Sequence, residues 1–187
     1  MDTLVDPRIY RQTIGQFATG VAVIATEMGG EIHGMTANAL SSLSLNPTLL
    51  LFCVDKRAKM ADWLRKANGF SVNFLRDDQQ ALSTYFAGGW KEPKAPPFRF
   101  VAWEGSPRLE GCAAAIGCRF SQMIEAGDHF IVIGEVLALH QGVEPRSPLV
   151  FHSGMYRKLD KRDIEPAPDL DNAKADLRVF YDPWTET

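Results

Sequence analysis

The chain lacks the features that would mark it for a membrane, a secretory route or a nucleic-acid partner. No apolar run approaches the roughly 20 residues needed to span a bilayer. The opening stretch, MDTLVDPRIYRQ, has neither the basic start nor the apolar run of a signal peptide. Net charge is small: 20 Lys and Arg against 23 Asp and Glu give −3. A mildly acidic chain exerts no general attraction on phosphate backbones or anionic lipid, so neither nucleic acid nor membrane is expected as a partner. Cysteine is scarce, at three residues. An odd count without a secretory signal argues against a disulfide framework and for a cytoplasmic protein. Cys112 and Cys118 would share a face of a strand, but six strand residues span about 20 Å, too far for two ligands of one metal. The histidines show no ligand spacing either. The cysteines read as small buried hydrophobes, and no metal is expected. Also missing are GxGxxG, GxxxxGK[ST], and any Ser/His/Asp or paired-carboxylate constellation.

What is present points to β structure. The 187 residues, 45% of them hydrophobic, suit one sizeable domain. Residues 7–18 place Ile9, Ile14, Phe17 and Ala18 on one side of a helix, with Pro7 acceptable in its first turn. Residues 21–26 form a strand rich in β-branched side chains. Gly29-Gly30 suits a two-residue hairpin turn, with a return strand from about Glu31 to Asn38. TLLLFCV (48–54) reads as a strand covered on both faces. Met60, Trp63, Leu64 and Ala67 have helical spacing, Asp62 and Lys66 form an i,i+4 pair, and Asn68-Gly69 supplies the stop. FSVNFL (70–75) is another strand. Asp77 and Gln80 resemble a capping box for a helix carrying Leu82, Tyr85 and Phe86. A Pro-bearing connection over 87–108 precedes two long strands joined near Glu125–Asp128. About seven strands interrupted by short helices indicate a closed or split antiparallel barrel.

Four segments carry chemistry. HGMTANALSSLSLNP (33–47) sets short hydrogen-bonding side chains between two apolar strands. Such residues let the main chain approach a flat heterocycle and still offer hydroxyls and amides; the plainer alternative is a set of turns capping a short helix at Ser41 or Ser42. Lys56, Arg57 and Lys59 cluster where a strand gives way to a helix, a junction suited to an anion. His129 opens a long apolar strand after Gly127 and Asp128. FHSGMYRKL gathers His152, Ser153, Gly154 and Tyr156.

In order and spacing, FATGVAVIAT, GMTANALSSLSLNP, LLLFCVDKRAK, FSVNFL, GDHFIVIGEV and PLVFHSGMY resemble the flavin reductase family, over roughly residues 8–159. The family is the NAD(P)H:flavin oxidoreductase component of two-component monooxygenases. The resemblance implies a mainly β fold, the FMN-binding split barrel, a Greek-key antiparallel barrel with short flanking helices. It implies FMN or FAD with NADH or NADPH, a homodimer with flavin near the subunit interface, and reduced flavin passed to an oxygenase. Thr36, Ala37, Asn38, Ser41 and Ser42 would hold the flavin ring and ribityl chain. Val54, Asp55, Lys56, Arg57 and Lys59 would follow the phosphate. Phe86 and Tyr156 would line the ring pocket, and His129 would stand at the nicotinamide. Two other readings stay open: a split barrel with tightly bound FMN, and a non-enzymatic flavin- or haem-binding module. Residues 1–159 would form this domain. Residues 160–187 read as a charged, Pro-bearing linker and an aromatic arm, LRVFYDPW.

Overall fold

In the computed structural model, residues 5–142 and 147–159 are described. The expected C-terminal arm, 160–187, lies outside them.

The first helix, α1 (Pro7–Ile14), starts where the Asp6 carboxylate accepts from the Arg8 N–H at 2.7 Å, with Pro7 just inside. It stops short of the expected residue 18, because the chain turns after Gly15 and enters β1 (Thr19–Gly20). None of its side chains is buried. β2 (Ala22–Met28) and β3 (Glu31–Ala37) form the expected hairpin, with Gly29 and Gly30 both at positive φ. That pair of conformations matches the twist of the flanking strands.

The next segment corrects an expectation. Ser41 and Ser42 cap no helix: they lie in β4 (Leu40–Leu45), an edge strand paired with β5 (Thr48–Asp55). β5 is not covered on both faces. Leu50, Phe52 and Val54 are buried, and the residues between them are half-buried. α2 (Lys59–Leu64) buries Met60, Ala61, Trp63 and Leu64. Asp62 pairs with Arg65 one turn on, at 3.0 Å, rather than with Lys66. β6 (Gly69–Phe74) leads to α3 (Gln80–Phe86). No capping box forms there. Gln79 is the cap residue, and its side-chain oxygen turns back to accept the Arg76 N–H at 2.9 Å.

The long connection contains a small ribbon, β7 (Phe100–Val101) with β8 (Arg108–Leu109). The two long strands follow, β9 (Ala114–Ala126) and β10 (His129–Gln141). β11 (Val150–His152) and β12 (Met155–Arg157) pair with each other, and β11 pairs with β1.

Seven strands form one antiparallel sheet in the order β3-β2-β6-β9-β10-β5-β4. Its inward side chains converge on a single core: Ile24, Phe52, Val54, Phe70, Val72 and Val132 are all essentially inaccessible. The sheet is therefore a barrel, split between its edge strands β3 and β4. α2 packs against β2, β3 and β5, and its apolar face joins the same core. A second apolar cluster lies on the opposite face of β2, where Val21, Val23, Leu75, Leu82 and Leu149 pack under α3 and β11–β12. Cys112 and Cys118 are buried, and burial pushes the Cys118 thiol up to about 12. They act as the small hydrophobes expected.

Candidate functional site

β3 ends where α3 and the β11–β12 ribbon meet it. Alternation along β3 turns Thr36 toward α3 and Ala37 toward the core. The Thr36 hydroxyl donates to the Ser83 carbonyl at 2.7 Å, and the Ser83 and Tyr156 hydroxyls share a bond at 2.9 Å. Asn38 donates from its side-chain amide to the Thr19 hydroxyl at 3.2 Å. These groups enclose a cavity of about 170 Å³ that Val21 and Phe151 line on the apolar side. Two hydroxyls that share one hydrogen bond keep one O–H free, and an amide NH₂ with one bond keeps a second N–H. The cavity thus offers donors and acceptors at close range to a flat ligand.

The strand-to-helix turn lies at the far end of β5. Asp55 faces His129 across the β5–β10 pair. The His129 Nδ1 lies 2.7 Å from the Asp128 carboxylate. A carboxylate only accepts, so Nδ1 carries the proton and Nε2 is left for another partner. The hydrogen bond from His129 holds the Asp128 carboxyl below its usual range. Arg57 grips Asp55 with its guanidinium fork, at 3.1 and 2.7 Å, and its backbone N–H adds a third bond at 2.8 Å. These bonds, the side-chain ones first, pull the Asp55 pKa well down. Lys56 pairs with Glu125 and lies 5.5 Å from the centre of the Phe130 ring. Lys59 sits over Trp63 at 5.1 Å.

The expected residues therefore fall into groups. Thr36, Ala37, Asn38 and Tyr156 share the small cavity. Ser41 and Ser42 are exposed on β4. Asp55, Lys56, Arg57 and His129 meet at the β5–β10 end. Two placements differ from expectation. The Val54 side chain is 1% exposed and belongs to the core, so only its main chain can meet a ligand. Phe86 does not share the Tyr156 cavity: it lines a separate one of about 790 Å³ with Tyr85, Phe98 and Phe100. Ser83, fully buried and bonded to both Thr36 and Tyr156, was missed. Its neighbours in sequence, Leu82 and Thr84, give no sign of that role.

Residues 14–160 match the family described as the flavin reductase like domain. The chain belongs to this family. Among its relatives, an NADH-dependent flavin reductase of a Rhodococcus species is 37% identical over 86% of this chain and 90% of its own length. The reductase subunit HsaB of a flavin-dependent monooxygenase, from Mycobacterium tuberculosis, is 36% identical over 98% of this chain and its entire length. The solved structure of the flavin reductase PheA2 superposes with a TM-score of 0.79 at 40% identity, covering 84% of this chain and all of its own.

Proposed function

We propose that this protein is an NAD(P)H-dependent flavin reductase that supplies reduced flavin to a partner monooxygenase. The observation that carries this reading is the small cavity at the end of β3, where hydroxyl and amide groups face apolar walls, in a chain of flavin reductase kinship. FMN or FAD is the acceptor and NADH or NADPH the donor. With both rings bound, a hydride passes from nicotinamide C4 to flavin N5, and the protein needs no nucleophile or general base of its own.

The chain's contribution is orientation. The spare N–H of Asn38 and the spare hydroxyl of the Ser83–Tyr156 pair would meet carbonyl oxygens of the ring and stabilise negative charge developing there. At about 170 Å³ the cavity is below the range of roughly 300–1,000 Å³ typical of whole-ligand sites. It would therefore take one edge of the ring, with the exposed hydroxyls of Ser41 and Ser42 left to serve the rest. Lys56, Arg57 and Lys59 would serve the phosphate. Glu125, the partner of Lys56, is exposed, so exchanging it for a phosphate costs little, and Arg57 is itself exposed to solvent. His129 would position the nicotinamide amide or phosphate through Nε2.

We read the molecule as a homodimer. The outer face of β5, β10 and β9 carries Leu51, Cys53, Ile131 and Ile133, half-buried, and Ile124, 39% exposed. Asp55 and His129 stand two residues beyond Cys53 and Ile131 and so continue the same face; a second copy seated there would border the site. The three unpaired cysteines agree with a reducing compartment, and we assign the protein to the cytoplasm. Purified protein freed of flavin by desalting should consume NADH only when FMN or FAD is added back. NADH consumption at the same rate without added flavin would refute flavin as substrate.

A further inference from the structure

The helix α1 is the element that the rest of the fold leaves bare. Val5, Ile9, Tyr10, Ile14 and Phe17 are each more than half exposed, and no α1 side chain enters either apolar cluster. An eight-residue helix is marginal in water on its own, and an apolar stripe of this kind normally packs against something. What holds α1 here is polar and confined to its C-terminal end. The Gly15 carbonyl accepts the Ser153 N–H at 2.8 Å, and the Gln16 side-chain amide donates to the Ser153 hydroxyl at 3.1 Å. Between that end and the Ser153–Gly154 turn lies a cavity of about 270 Å³, walled by Arg11, Gln12 and Gln16. It has room for one large ring, and an arginine at its wall can lie over an aromatic face.

Three features point to the occupant. First, the described chain ends close by. Leu159 stands two residues past β12, the strand that leaves the Ser153–Gly154 turn. Six extended residues span about 20 Å, so the chain continues from within that distance of Ser153. Second, the segment that follows has matching apolar content and sufficient reach. LRVFYDPW, residues 177–184, places Leu177, Val179, Phe180, Tyr181 and Trp184 within one short stretch. The chain before it, residues 160–176, averages about 23 Å end to end when flexible. Third, the charges are complementary. Residues 160–187 carry eight Asp and Glu against four Lys and Arg, whereas α1 carries Arg8 and Arg11 and no acidic residue. The helix also adjoins the cradle. It runs into β1, where the Thr19 hydroxyl accepts from the Asn38 amide and Thr19 pairs with Phe151 of the cradle wall.

We propose that the apolar face of α1 is the docking surface for this chain's own C-terminal arm, residues 177–184, with one of the arm's rings in the cavity beside Ser153. A seated arm holds α1 against the cradle wall, and the docking stands whether or not the protein reduces flavin. The test is photo-cross-linking of the full-length protein carrying p-benzoylphenylalanine in place of Phe180. Irradiation should give a product of single-chain mass, joined within residues 5–17 or at the Ser153–Gly154 turn. Ile14→Asp puts a charge in the apolar stripe and should cut the yield about tenfold. Arg11→Glu opposes the acidic segment and should cut it about threefold. Both residues lie outside the two apolar clusters, so neither variant touches the packing that holds the barrel. A product of two-chain mass would assign the arm to a second copy and overturn the proposal. So would links elsewhere in the chain, the cradle included, no link at all, or a yield indifferent to both variants.

Discussion

Ser83→Ala removes the one hydroxyl that joins α3 to Tyr156. Ser83 is fully buried, and its Oγ lies 2.9 Å from the Tyr156 hydroxyl. The Thr36 bond to the Ser83 carbonyl survives, because it uses the main chain. The change therefore deletes one hydrogen bond and leaves a partly buried phenol short of a partner. Such a loss costs about 1 kcal/mol, rising toward 3 where water cannot replace the partner. The cavity beside Tyr156 admits water, which puts the expected value near the low end. For a chain of this size that lowers Tm by about 2–4 °C. Tyr156→Phe should cost about the same, and the double variant no more than either alone, a coupling of about 1 kcal/mol. The assay is thermal unfolding of the four proteins, with flavin titrated into each. Flavin affinity should fall by about five- to tenfold in both single variants, since either change frees Tyr156 or deletes its hydroxyl. Additive losses in the double variant, or undiminished flavin affinity in both single variants, would refute the reasoning.

His129→Ala should weaken use of NAD(P)H more than flavin binding, with kcat/KM for the nicotinamide down by about 1–3 kcal/mol; steady-state kinetics and a flavin titration separate the two. Gly134→Ala should destabilise the fold by about 1–3 kcal/mol: the new Cβ would lie 2.4 Å from the Phe70 ring, itself fully buried against Phe52, and denaturant melts read the loss. The His33 pKa is lowered by burial first and by Lys59 second, so the unfolded chain takes up this proton at higher pH than the folded one. Its contribution to stability should be complete above the ordinary value of 6.5 and decline as pH falls below it; urea melts across that window should show the decline, and His33→Gln should flatten it.

The hairpin of β2 and β3 was legible because Gly29-Gly30 separates two strand-like runs, and β9–β10 because the polar break near Glu125–Asp128 divides one long run into two. α2 was legible through the spacing of Met60, Trp63 and Leu64. β4 was not, because Ser41 and Ser42 break the apolar alternation, and on an edge strand both are left exposed. Local pairings misled where side chains had a choice, as with Asp62, which takes Arg65 over Lys66, and with Gln79, which displaces the expected cap. The cradle's small polar residues were visible as a type of surface. Ser83 was not, because its role comes from α3 packing between β3 and β12, a contact between segments 47 and 73 residues apart. Phe86 was assigned to the ring pocket, yet the turn of α3 directs it to the neighbouring cavity.

The central claim is that flavin passes through this protein as a substrate. Under anaerobic conditions, limiting protein should be mixed with NADH and a large excess of free FMN or FAD, and the bleaching of flavin absorbance counted per subunit. Many equivalents reduced per subunit is the expected result. Reduction that stops at one equivalent, or none, would contradict it.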